Sequence, residues 1–371
     1  MIRFIEPRER VESMAWRELG QLSLADSLVS GVGQNATLDH LAELIDWAAL
    51  AELVSPLDPL RRGAPGYPAL VLLKALFLQQ WHGLSDPGLE AALADRLSFR
   101  RFCGFALDDK TPDHVTIHRF REGLRRHGLA ERVFEEVNRQ IDERKLILRR
   151  GTLIDASLVE AAVKRPPKPK MKIEEESPAE AAEEASPTEA AEGPAPVPAR
   201  PPSKLVRSPV DPEAAWTKKN GRRSFGYKAH VGVDRGSGII RRQRLIPANV
   251  NDTVEADDLI CGDEAAVYAD EAYTTHKRRE KLRELGIKDR MMHRPNKHHP
   301  LTPRQIQHNR AIGRHRAPVE QVFAQLKRLC GWTRVRYYGV ARNTAHLALL
   351  CTALNLKRLV VLMTPPKTKP A

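Results

Sequence analysis

Cysteine is scarce in this chain. Its four residues, Cys103, Cys261, Cys330 and Cys351, lie far apart and none belongs to a CxxC pair. That spacing excludes a zinc ribbon or finger, and a chain of 371 residues has no need of a disulfide scaffold. Buried, reduced thiols are expected instead. Aromatic residues make up only 5% of the chain. The first ten residues, MIRFIEPRER, contain no apolar core of a secretory signal. The longest apolar stretch read from the sequence, 69–77, is broken by Lys74 and is too short to span a bilayer. A cytoplasmic location without membrane contact is the expectation.

What the chain has in excess is positive charge. There are 60 Lys+Arg against 47 Asp+Glu, a net charge of +13, and a pI near 9.7. An anionic polymer is the first partner to consider, with nucleic acid ahead of membrane. The charge is uneven: from residue 271 onward 22 Lys/Arg face 5 Asp/Glu, a surplus of 17. With 42% hydrophobic residues the chain can bury a real core, and its length predicts two or three domains.

Residues 165–210 break the pattern. They hold 11 of the 27 prolines and an acidic, alanine-rich run with eight Glu between 174 and 192. Such composition cannot bury enough apolar area to offset ordering entropy, so a disordered insertion is expected; a helical Glu/Ala spacer is the alternative. Before it, 1–150 reads as helical. Apolar positions recur with a helical period over 70–81, followed by helices over 86–97, 112–126 (with Thr111 as N-cap) and 129–144. This part is either a DNA-binding unit of helix-turn-helix type or a dimerisation bundle. After the insertion, 151–164 and 211–362 read as strands mixed with helices, and 363–371 as a basic tail. Residues 153–159 form a strand, 225–234 and 239–246 a hairpin around Arg235-Gly236-Ser237-Gly238, and 265–270 another strand. Thr253 is a candidate cap for a helix through Ile260. Residues 318–329 carry an amphipathic helix, with Pro318 at its first position. That order predicts an α/β sheet with packed helices.

Two carboxylates interrupt apolar strands, Asp155 within one and Asp270 at the end of another. A buried carboxylate costs several kcal/mol unless it is paired or holds a cation. Each Asp alone reads as a helix cap or an arginine partner; together they favour a functional site. Glu320 adds a third acid from a helix. At about 100° per residue Lys327 falls on the Glu320 face, and Arg316 would join them if the helix reached back past Pro318. A Glu in a first helical turn is also favoured by the helix dipole alone.

Four ordered blocks now make a specific resemblance: Leu153 to Ala161, Phe225 to Asp234, Tyr268 to Tyr273, and Arg316-x3-Glu320-x6-Lys327 followed by Arg334-x-Arg336-Tyr337. With the helical block Pro112 to Phe120, they resemble the DDE transposases of bacterial insertion sequences, in the insertion-sequence-5-like group with an InsH-type N-terminal domain. The resemblance runs from about residue 40 to 360. It implies an RNase H-like fold, α/β, with Asp155 on the first strand, Asp270 on the fourth and Glu320 on a following helix. The helical N-terminal domain precedes this fold, and the 165–210 insertion loops out of it. The family places a tyrosine three residues before the arginine; here Gly313 stands there, so its contribution is missing or comes from Tyr337 or Tyr338.

The implied chemistry is phosphoryl transfer. Asp155, Asp270 and Glu320 are the expected catalytic residues and ligands of two Mg²⁺ or Mn²⁺ ions, which about 3.5–4 Å apart can serve both oxygens of an in-line displacement. Double-stranded DNA is the expected partner, at terminal inverted repeats and target, with a homodimer in the synaptic complex and a nucleoid-associated location. Arg316 and Lys327 would position phosphates. Lys218, Lys219, Arg222, Arg223, Arg334 and Arg336 would contact the backbone, with solvated surface as the plain alternative. Residues near 116–126, Arg119 and Arg121 among them, are the candidate sequence readers. His230, His293, His298 and His299 read as surface or DNA contacts, and Trp332 as a core residue. A nuclease or resolvase of the same fold and a domesticated DNA-binding regulator remain the competing readings.

Overall fold

The computed structural model describes residues 19, 34–58, 66–163, 210–219, 221–295 and 300–364. The insertion expected at 165–210 lies, apart from residue 210, outside the described residues, as do His298, His299 and the tail beyond 364. The N-terminal part is helical as expected: α1 (Ala36–Leu44), α2 (Trp47–Val54), α3 (Ala69–His82), α4 (Asp86–Asp95), α5 (Leu97–Cys103), α6 (His114–Arg126) and α7 (Leu129–Glu143). Side-chain oxygens of Asn35, Asp46, Ser85 and Asp113 accept backbone N–H groups of the turns they precede. The cap of α6 is therefore Asp113 rather than Thr111: its Oδ1 accepts the Thr116 N–H at 2.7 Å.

The strands are β1 (Thr152–Glu160), β2 (Ala215–Lys219), β3 (Arg222–Asp234), β4 (Ile240–Pro247), β5 (Ala266–Ala269) and β6 (Lys288–Met291). They form one mixed sheet. β1 pairs antiparallel with β3, from Thr152 opposite Asp234 to Glu160 opposite Gly226. On its other side β1 runs parallel to β5, and β5 parallel to β6. The far edge of β3 is shared between β2 and β4. An antiparallel meander leading into parallel strands is the arrangement the resemblance implies. The hairpin turn is held by Asp234, whose buried carboxylate accepts from Ser237 Oγ at 2.6 Å, Arg149 N at 2.8 Å and Leu148 N at 3.2 Å. β2 is an addition to the expected set, and it makes Asp270 follow the fifth strand rather than the fourth.

After β5 come α8 (His276–Glu284), α9 (Pro303–Arg328) and α10 (Val340–Met363). Three expectations change here. First, α9 begins at Pro303, not Pro318: Thr302 and Gln305 form a capping box, and Pro318 is carried inside the helix. The interior proline removes one backbone donor, a cost met by the buried face of Ile312, Arg316, Val319, Val322, Phe323 and Leu326. Second, Thr253 caps no helix. The Arg278 guanidinium donates to Thr253 O at 2.6 Å and to Asp257 Oδ1 at 2.9 Å, holding this segment as a loop with one short turn at Asp257–Leu259. Third, α10 is long and apolar enough by length and composition to cross a membrane, which the stretch at 69–77 is not. In this protein 72% of its apolar window is buried inside the molecule.

α10 packs against α3 and α7 on one side and β4 on the other. One hydrophobic cluster consequently runs from Leu41 and Leu73 through Leu350 and Leu354 to Val231 and Val233 on the sheet. Trp332 belongs to this core at 1% exposure, as expected, and Cys103, Cys330 and Cys351 are buried free thiols. Cys261 is half-buried and also free. The opposite sheet face carries a smaller cluster, with Ile154, Val267, Ala269 and Tyr273.

Between β1 and β3 the backbones meet so closely at Gly226 that no side chain fits. A Cβ there would stand 2.1 Å from Val159 O and 2.7 Å from Ala161 N. Gly226→Ala should therefore lower the unfolding free energy by about 3 kcal/mol, as overpacking does; urea unfolding of the two proteins checks this.

Candidate active site

The sheet register brings the two strand carboxylates together. Thr152 pairs with Val267 and Leu153 with Tyr268. Asp155 lies two residues beyond Leu153 and Asp270 two beyond Tyr268, just past the end of β5, so both acids follow the same parallel register. By the alternation of strands both take the face of Leu153 and Tyr268. That is the face against which α9 lays Val319, Val322 and Phe323. Asp155 is half-buried, because the apolar residues around it are needed on both faces of a central strand. Asp270 caps the short turn Glu271–Tyr273, its Oδ1 accepting the Ala272 N–H at 2.5 Å.

α9 crosses this position with Arg316, whose Nη2 lies 3.0 Å from Asp155 Oδ1; the guanidinium is itself buried. Because the helix runs unbroken through Pro318, Arg316 and Glu320 are one turn apart on one face, about 6 Å along the axis. Glu320 is exposed and Lys327 half-buried. Gly313 is also inside α9, one turn before Arg316, and a Cβ there would have room, its nearest neighbour being Met292 Cε at 3.6 Å. The carboxylates do not close on one another as they stand. Among the described residues, the group whose ligand atoms all fall within 4.8 Å of one another is Cys261, Asp263 and Glu264. That group is already satisfied from within: Glu264 accepts three backbone N–H groups, and Asp263 bonds Arg149 at 2.7 Å and Arg241 at 2.6 Å. It braces a loop.

Behind the acids sits a polar network that the sequence did not reveal. His230 is fully buried, not on the surface as expected. Its Nδ1 is 3.1 Å from the Tyr273 hydroxyl, and its Nε2 has no hydrogen-bond partner but lies 3.9 Å from Asp252 Oδ1. Lys228 Nζ donates to Asp252 Oδ1 at 2.8 Å and to Val250 O at 2.7 Å. The Tyr273 phenol is held protonated first by burial and then by the negative charges of Asp252, Asp155 and Asp270, with Arg316 opposing them. Lys228 and His230 share one strand face at a spacing of two, a usable signal; nothing in the sequence singles out Asp252.

The basic residues divide into two sets. Lys218, Lys219, Arg222 and Arg223 meet on one hairpin: Lys218 faces Arg223 and Lys219 faces Arg222 across β2 and β3. Like charges opposite one another, as at Lys218 and Arg223, are destabilising alone. The Asn220-Gly221 pair is the turn signal that announces this hairpin. Arg119 is exposed on α6. By contrast Arg121 is buried, with Nη2 2.6 Å from Asp86 Oδ2 and its guanidinium over the Tyr337 ring. Arg336 donates to Leu84 O at 2.8 Å, and Arg334 pairs with Glu160 at 3.1 Å. These three are engaged by the protein itself. His293 is half-buried and stacks near His308, with centroids 5.0 Å apart.

Burial pushes the His230 pKa from 6.5 down to about 4, with Asp252 opposing and Lys228 assisting. The folded protein thus keeps this ring neutral where the unfolded chain binds a proton, so stability falls as pH drops from about 6.5 towards about 4. The contribution is up to about 3 kcal/mol. His230→Gln should flatten that part of the thermal stability profile, measured as Tm between about pH 7.5 and pH 4.5; an unchanged profile would remove His230 as its source.

Two family models match the chain. The model of the transposase DDE domain matches residues 146–356, more than half of the chain. A second model, Transposase domain (DUF772), matches residues 26–123. No solved structure matches the chain. The two models in succession are the signature of insertion-sequence-5-like, InsH-type transposases. That family acts on DNA and uses divalent metal ions. The chain belongs to the DDE transposase family.

Proposed function

We propose that this transposase hydrolyses phosphodiester bonds at the ends of an insertion element and joins the resulting 3′-OH to target DNA. One observation carries the reading: Asp155 on β1 and Asp270 just past β5 follow one parallel register, while the α9 turn bearing Arg316 and Glu320 crosses at Asp155. Asp155, Asp270 and Glu320 are the catalytic set in this reading. All three offer hard oxygen donors, the chemistry that Mg²⁺ or Mn²⁺ selects. Two such ions held there supply charge stabilisation at phosphorus and a more acidic water.

The remaining work falls to the protein's own side chains. Arg316 neutralises Asp155 and lies where a phosphate group reaches the acids; Lys327, about three turns further along α9, bears on the same strand of DNA. The Lys218, Lys219, Arg222 and Arg223 hairpin tip and the exposed Arg119 grip the backbone, supplying affinity with little sequence information. α6 and its surroundings read the element's ends. The protein acts as a homodimer, because two ends must be held for one joining event. Arg121, Arg334 and Arg336 serve this function by fixing the architecture around the DNA path.

Alanine in place of Asp155, Asp270 or Glu320 should reduce cleavage of a supercoiled donor plasmid in Mg²⁺ by about a thousandfold or more, because each change removes a ligand. Gel-shift binding to the element's ends should remain. Cleavage retained by Asp270→Ala would sink the assignment.

A further inference from the structure

Where α6 meets α10 the protein forms an open cleft of about 230 Å³, lined by Arg125, Arg336, Tyr337, Tyr338 and Arg342 around Glu122. Three guanidinium groups converge on this single carboxylate. Arg125 lies 2.6 Å from Glu122 Oε1, Arg126 3.6 Å from the same atom, and Arg342 3.5 Å from Oε2. Two of the arginines come from α6 and the third from α10, more than two hundred positions later in the chain. Glu122 stays ionised throughout the working range, since hydrogen bonding from Arg125 holds its carboxyl down to about 2. The neighbouring Arg121 is already matched by Asp86. One negative charge therefore faces three positive ones.

Such a surplus is unfavourable in the empty protein and favourable once a further anion arrives. The cluster is open to it: side-chain exposure is 69% for Arg126, 52% for Arg342 and 28% for Arg125. Guanidinium forks match the paired oxygens of a phosphodiester, and Glu122 already presents paired oxygens in that geometry. We infer that this seam is a seat for a backbone phosphate of duplex DNA, with Glu122 keeping the arginines in place while DNA is absent. The inference rests on the DNA-joining reading above, in which α6 already meets DNA, and adds to it a phosphate contact from α10 through Arg342. A phosphate seated here touches both the N-terminal helices and α10, so one DNA strand ties together segments from both ends of the sequence.

The test is fluorescence anisotropy of the full-length protein with a random duplex of about 30 base pairs, roughly three turns, titrated with salt. Arg342 is half-exposed, so Arg342→Gln leaves the fold intact, which an unchanged Tm verifies. This variant should bind about three- to tenfold more weakly and lower the slope of log K against log salt by about one. Glu122→Gln should bind more tightly than the unaltered protein. Wild-type affinity and slope in Arg342→Gln would overturn the phosphate seat, leaving the cluster as an internal clamp. No binding of the duplex by the unaltered protein would instead bring down the DNA reading itself. Inorganic phosphate at millimolar concentration is the control: if it raises the Tm of the unaltered protein but not of Arg342→Gln, while the duplex slope is unchanged, the seat takes a free anion and not DNA.

Discussion

Everything else in this protein depends on covering the apolar surface of α10 from two sides. Its buried residues include Leu347, Leu350, Cys351, Leu354 and Leu359, an apolar surface too broad for one neighbour. At about 25 cal/mol per Å² of apolar area, a helix of this kind is stable in water only between two layers. The N-terminal helices α3 and α7 supply one layer and the β4 side of the sheet supplies the other. Asn355 reinforces the junction from within the helix: its Oδ1 accepts from Ile240 N at 2.9 Å, and its Nδ2 donates to Ile240 O and to Asn138 of α7. The helical part and the sheet therefore share a core, and residues far apart in sequence are held at fixed separations.

Within that frame the carboxylates differ by their surroundings. Asp234 and Glu264 accept several donors each and are spent on turns. Asp86 is spent on Arg121. Asp155 lies within β1 and Asp270 just past the end of the parallel strand β5, and Asp155 is held by an arginine from a different element. A charge that can be exchanged for another is what a phosphoryl-transfer site requires. The same logic applies to the cations: those bonded to carbonyls or buried acids build the structure, and those crowded against one another at a hairpin tip or around Glu122 leave positive charge in surplus.

Much of this was legible beforehand. The helices 69–82, 86–95 and 129–143, the β3–β4 hairpin, the strands bearing the acids and the core position of Trp332 follow from apolar periodicity and turn residues. The length of α9 was missed: Thr302-Pro303-Arg304-Gln305 carries a local start signal, but the expectation followed Pro318, and packing of the buried face takes the helix through that proline. Nothing local foretold the loop at 253–260, because what prevents a helix there is Arg278, a residue from another element. His230 misled for the converse reason: on an alternating strand its polar ring looks solvent-facing, yet the 271–273 turn covers it with Tyr273.

The sequence by itself determined the kinds of elements, the basic excess after residue 271 and the presence of three acids in a family-like order. These depend on neighbours within a few positions, or on simple counts. Only the tertiary structure decided which charges are free to meet DNA and which are consumed inside. Arg119 and Arg121 stand two apart on one helix, yet one is exposed and the other is buried against Asp86. That difference comes from the packing of α4 on α6. A charged side chain takes its role from its partner, and partners are chosen by the fold rather than by the local chain.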